Sequence, residues 1–153
     1  MDDSKISESM GSGQVVGPQI PLLKNGQYDL AFDYYETVKL FGGRSKKLAL
    51  WFRVISNGEE FESILPRYYN VLEIKGKPQR GGDFKVGRNS NFFREYVRIF
   101  NLPKRLDRIP MTAFQNVIII GDVRTVNFGY DQKKLPTSLR YSVIDELKKV
   151  KEI

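Results

Sequence analysis

From Gly26 onward, apolar and polar side chains take turns along the chain. In QYDLAFDYYETV, Tyr28, Leu30, Phe32 and Tyr34 fall on one side and Asp29, Ala31 and Asp33 on the other. This period of two predicts a strand with one buried face. FGGRSKK reads as a turn, its paired glycines free to take positive φ. KLALWFRVI predicts a second strand, with Leu48, Leu50, Phe52 and Val54 on one face and Ala49, Trp51, Arg53 and Ile55 on the other. Asn57-Gly58 is a hairpin-turn signal, and EFESIL predicts a third strand. Pro66 donates no N–H, so it marks an edge, a bulge or a bend before YYNVLEI resumes.

The pattern then loosens. KGKPQRGGDFKVGRNS reads as a Gly/Pro/basic loop, of a length that is functional or mobile in most proteins. SNFFREYVRIFN has helical spacing: Phe92, Phe93, Tyr96, Val97 and Phe100 form a stripe, Ser90 suits the N-cap, and Asn101 and Pro103 end it. Arg94 and Arg98 lie four apart on one side of that helix. After the connector LPKRLDRIPMTAFQ, NVIIIGDVRTVNF predicts a fourth strand, with Gly121 at a bulge. GYDQKKLP is a turn and TSLRYSV a last strand. VIDELKKVKEI then predicts a terminal helix, capped by Ser142 with Asp145 three residues on. Residues 1–22 are rich in Ser, Gly and acids and lack periodicity, which predicts a disordered tail before a single domain over residues 23–153.

Composition narrows the chemistry. The 153 residues include no cysteine and no histidine. Disulfides, thiolate metal sites, ordinary zinc sites and Ser-His or Cys-His nucleophile pairs are therefore excluded. Acid–base work would fall to carboxylates, lysines or tyrosines. No apolar run reaches a membrane-spanning length, and no basic-then-apolar export signal opens the chain, so no membrane association and a cytoplasmic location are expected. The net charge is +7. Between Lys75 and Arg108 stand ten basic residues against three acids, so this stretch, less than a quarter of the chain, holds an excess equal to the whole net charge. Its plain reading is a solvated surface; a clustered excess is also the footprint of a polyanion binder.

The element order, three strands, a basic loop with one helix, then two strands, predicts a mainly β protein with one or two helices. It suits an OB-like five-stranded Greek-key barrel with a helix between strands 3 and 4. With GQYDLAF as first strand, KLALWFRVISNGEEFESIL as hairpin, SNFFREYVRIFNL as helix and AFQNVIIIGDVRTV as returning strand, the layout resembles the OB-fold single-stranded-DNA-binding proteins of phages and integrative elements over residues 26–128. The long basic loop and the C-terminal helix depart from that pattern. The resemblance implies a role in DNA replication, recombination or mobile-element maintenance in a bacterial or phage-infected cell. It also implies replication or recombination proteins as partners, and a homo-oligomer, since such barrels often pair. Members often end in an acidic tail that recruits partners; this chain ends ELKKVKEI, so that function does not carry over.

Sequence-tolerant binding of single-stranded DNA or RNA needs rings that stack on bases and cations that follow the backbone. Trp51 with Arg53, and the tyrosine pair beside Arg67, have that make-up. Trp51 is either a core residue or on the ligand face; the more uniformly apolar opposite face of its strand favours the latter. Adjacent strand residues point to opposite faces, so only one of Tyr68 and Tyr69 can stack. Alternation through Phe61, Ser63, Leu65 and Arg67 selects Tyr69. Lys75, Lys77, Arg80, Lys85 and Arg88 are the expected phosphate contacts. Neither GGRSKK nor GKPQRGG fits a P-loop, so nucleotide hydrolysis has no support; the reading expects no catalysis, no cofactor and no metal. Two rivals stand beside this reading. One is a magnesium nuclease built on Glu73-x-Lys75 with Glu60 or Glu62 upstream, although its Pro-Asp element is missing. The other is a protein-interaction module or inhibitor that uses a basic face.

Overall fold

The computed structural model describes residues 22–40, 42–56, 62–128, 132–136 and 139–152. Its main sheet is antiparallel and has five strands: β1 (Gly26–Leu40), β2 (Ser45–Val54), β3 (Ile64–Asn70), β6 (Ile118–Val126) and β7 (Tyr141–Val150), in the order β3-β2-β1-β6-β7. A separate hairpin of β4 (Glu73–Lys75) and β5 (Asp83–Lys85) precedes helix α1 (Asn91–Phe100). The predicted Asn57-Gly58 turn and Phe61 lie outside the described residues, as does the predicted tail up to residue 21. Leu23 already belongs to the core, and its N–H donates to Ser142 Oγ at 2.7 Å.

The alternation in β2 holds: Leu48, Leu50, Phe52 and Val54 are all fully buried on the inner face. They pack with Leu30 of β1, Leu65 and Tyr69 of β3, Ile119 and Val123 of β6, and Ile144 and Leu147 of β7. Helix α1 closes this core with Phe92 and Tyr96, and the 3-10 turn Met111–Phe114 adds Phe114. The helix starts as expected: Ser90 Oγ accepts from the N–H of Phe93 at 3.1 Å.

Four expectations need correction. First, β1 does not keep one register. Phe32 pairs with Phe52 and Tyr34 with Trp51, so Asp33 is an extra, bulged residue. A bulge shifts the side-chain alternation by one; Tyr34 leaves the face of Phe32 for the outer face, and Tyr35 turns inward.

Second, the C-terminal segment is strand β7, not a helix. Its pairing with β6 skips Asp145 and Lys148. These two irregularities let Ile144 and Leu147 share the inner face at a spacing of three, which imitates a helical stripe. Ser142 is accordingly no helix cap but a buried residue bonded to Leu23. Gly121 sits at one of these irregularities, where a Cβ would meet Leu30 Cδ1 at 2.8 Å.

Third, the basic loop is largely structured. Ile74 and Phe84 pair across the β4–β5 hairpin, and Phe84 packs edge-on against Phe92 and Tyr35. The helix therefore follows the fifth strand in the chain rather than the third.

Fourth, the sheet is not a closed barrel. β3 and β7 lie against one another, but no backbone ladder joins them. Side chains of α1 occupy the seam instead. Glu95 Oε1 accepts from the N–H of Leu147 at 3.0 Å, and Arg98 donates to the Leu147 carbonyl. Pro66 lies in β3, an edge strand of this sheet, where a missing N–H is tolerated.

Candidate nucleic-acid interface

The outer face of β1, β2 and β3 is unlike the core. Across the sheet, Tyr68 stands opposite Ala49, Ala49 opposite Glu36, and Glu36 opposite Arg80. One step along, Tyr34 stands opposite Trp51, and Trp51 opposite Pro66. The rings of Tyr34 and Trp51 stack with centroids 6.2 Å apart and planes 19° apart. Trp51 Nε1 donates to Glu36 Oε2 at 2.8 Å, which satisfies an indole that is only 5% exposed. The Arg80 guanidinium lies over the far side of Tyr34, its Cζ 3.7 Å from the ring centroid, within cation–π range. Arg53 is half-buried on the same face. Burial pushes the Tyr68 hydroxyl up to about 12, and Tyr141, Glu36 and Tyr34 add to the rise. Tyr68 is therefore a neutral ring at any working pH.

Arg80 is positioned by its backbone. The upper half of β1, beyond the reach of β6, is lined by the segment Gln79–Gly81. Thr37 N–H donates to the Gln79 carbonyl at 3.0 Å, and Gly81 N–H to the Tyr35 carbonyl at 2.9 Å. The buried Thr37 hydroxyl accepts from Gln79 N–H at 3.1 Å. A Cβ at Gly82 would stand 2.6 Å from that hydroxyl oxygen, so the close approach requires glycine.

Arg67 and Tyr69 do not belong to this face. Alternation groups them correctly, but the face they share is the inner one. Tyr69 is 2% exposed and donates to Glu95 Oε1 at 2.7 Å. Arg67 is ion-paired through Nη2 to Glu95 Oε2, and its Cζ lies 4.2 Å from the Tyr69 ring centroid. Burial and the Glu95 charge hold the Tyr69 hydroxyl well above the usual phenol range. Arg67, Tyr69 and Glu95 thus form a satisfied buried network, and of the two tyrosines it is Tyr68 that lies on the outer face. Trp51 is on the expected face, yet its burial makes it the base of a stack and not its contact surface. Tyr34 was missed because strict alternation assigned it inward; only the Asp33 bulge turns it out. Glu95 was missed because one acid within an aromatic helix stripe gives no sign of burial.

The remaining cations gather elsewhere. Lys75 pairs across the hairpin with Asp83, and Lys85 lies 3.5 Å from Glu73. A cleft of about 470 Å³ separates this hairpin from the connector, with Tyr35, Phe84 and Met111 among its lining and Lys75, Lys85 and Arg108 as its cations. Arg88 lines a smaller depression beside Val86 and Phe93, and Lys77 is exposed at the hairpin turn. The structure thus puts Trp51, Arg53 and Arg80 on one sheet face, and Lys75, Lys85 and Arg88 around the hairpin. Of the Glu73-x-Lys75 alternative, Glu73 is in an ion pair with Lys85 and Glu60 lies outside the described residues, among which no group of three His, Cys, Asp or Glu able to hold a metal ion occurs. No described helix is long and apolar enough to cross a membrane. Comparison with known proteins finds no match: no family model fits the sequence, and no curated protein or solved structure is significantly similar to it.

Proposed function

We propose that the chain binds single-stranded nucleic acid, in the first place single-stranded DNA, through the outer face of β1, β2 and β3 and without catalysis. The observation that carries this reading is the placing of Tyr34, Trp51 and Tyr68 with Arg53 and Arg80 on the outer sheet face, outside the main core cluster. The Tyr68 ring and the Arg80-capped stack of Tyr34 and Trp51, with Arg53 on the same face, suit stacking on bases beside phosphate contacts. The adjacent hairpin, with Lys75, Lys77, Lys85 and Arg88, extends the positive surface that a strand would follow. An OB-like reading of the fold is supported by the five-strand order and by the approach of β3 to β7, since OB-folds are partly open Greek-key barrels. A role in replication, recombination or mobile-element maintenance rests on the resemblance in layout.

Trp51 is the only tryptophan, and it stacks on Tyr34 beneath Arg80. Oligo-dT should therefore change its fluorescence, with an affinity that falls steeply as salt rises and exceeds the affinity for duplex DNA of equal length. Absence of binding to either nucleic acid at low salt sinks the proposal. A second reading, a protein-interaction module, is favoured by the exposed Leu72 and Leu106 on the cleft walls beside Lys75 and Arg108. In that case an acidic protein partner, and not DNA, saturates the basic surface.

A further inference from the structure

Arg80 is held more firmly than a solvated phosphate-contact arginine needs to be. Its neighbours Gln79 and Gly81 are both bonded to β1, and Thr37 locks Gln79 a second time. Its guanidinium makes no hydrogen bond or ion pair with any described residue, although Glu36 stands directly opposite in the ladder. Glu36 is instead engaged by Trp51 Nε1. What Arg80 does meet is the Tyr34 ring, 3.7 Å from Cζ to centroid. β1 lies between β2 and the Gln79–Gly81 segment, so Arg80 and Trp51 cover opposite sides of Tyr34. The ring face under Arg80 is accordingly closed to a base while Arg80 is in place. The column Trp51–Tyr34–Arg80 runs from a buried indole to an exposed, planar cation.

We propose that Arg80 is a stacking plate: a base of the bound single strand lies on the side of its guanidinium turned away from Tyr34. This deepens the single-strand reading and rests on it. Arginine planes take bases as aromatic rings do, and the same guanidinium keeps N–H groups in its plane to meet a neighbouring phosphate. Lysine at this position would keep the charge and lose the plane, which separates the plate from a point charge.

The test compares the wild-type chain with Arg80→Lys on two oligomers of equal length, oligo-dT and an abasic backbone, with thermal melts to show that both proteins fold alike. Arg80→Lys should bind oligo-dT at least about fivefold more weakly, the loss of one stacked base, and bind the abasic oligomer as the wild type does. Equal binding of both oligomers by wild type and variant overturns the plate and leaves single-strand binding intact. An equal loss on both oligomers makes Arg80 a phosphate contact and also overturns it. If the wild type binds neither oligomer, the single-strand reading falls and the plate with it.

Discussion

Glu95 is the residue on which the seam depends. It takes two bonds from Arg67, one from the Tyr69 hydroxyl and one from the backbone N–H of Leu147, so it ties β3 and β7 to α1. Its side chain is 8% exposed and that of Arg67 12%. A pair this deep is costly to break from one side, because the surviving charge stays buried. Glu95→Ala should therefore destabilise the fold by about 3–5 kcal/mol in urea unfolding. Arg67→Met combined with Glu95→Leu should recover a large part of that loss. A single variant within about 1 kcal/mol of wild type would mean that water reaches the pair and that the seam is held by packing alone. The tyrosine doublets follow a shared rule at this scale. Tyr34-Tyr35 and Tyr68-Tyr69 each turn one ring outward and one inward, as adjacent strand residues must. The rule is legible in sequence; which member goes out is not.

At the scale of elements, the Gln79–Gly81 segment acts as a short extra strand on β1. Its lock is the Thr37 hydroxyl, buried between Gln79 and Gly82. Thr37→Val keeps the shape and removes the acceptor, which leaves the Gln79 N–H without its side-chain partner at a cost of about 1 kcal/mol. Hydrogen exchange should speed up at Gln79 and Gly81 while the β1–β2 ladder keeps its protection. Unchanged exchange at those two amides would show that the segment is held by its backbone pairing and that Thr37 adds nothing. Strand β7 teaches a different lesson. Charges at Asp145, Glu146, Lys148 and Lys149 around Ile144 and Leu147 have helical spacing. The helix loses because β6 offers a ladder and because bulges at Asp145 and Lys148 restore the inward alignment of the apolar residues. Propensity in a segment this short yields to such tertiary pairing.

At the scale of the whole molecule, the cations proposed to meet a strand stand in two places. Arg53 and Arg80 stand among rings on the outer sheet face; Lys75, Lys85 and Arg108 stand at the cleft beside the hairpin. A strand that follows both must release counterions at both. Lys75→Gln with Lys85→Gln should therefore lower the salt slope of oligo-dT binding by roughly 0.7 for each phosphate that is no longer neutralised. The Trp51 response at saturation should stay as it was. An unchanged slope removes the cleft from the path of the strand and leaves it to the protein-interaction reading.

The sequence by itself determined the strand alternation of β2, the capped aromatic helix, the absence of Cys and His chemistry, and the concentration of charge between Lys75 and Arg108. These are local or additive properties: a period of two or of 3.6, a cap, a residue count. Only the tertiary structure decided the outward turn of Tyr34, the strand character of the C-terminus, the buried partnership of Arg67 with Glu95, and the seat of Arg80 on Tyr34. Each depends on a neighbour remote in the chain. A bulge slips the register against β2, β6 supplies a ladder to β7, α1 brings a carboxylate to β3, and a glycine-flanked segment closes onto Thr37. Periodicity assigns a residue to one of two faces; which face is buried, and what stands against the other, is settled only when those remote surfaces meet.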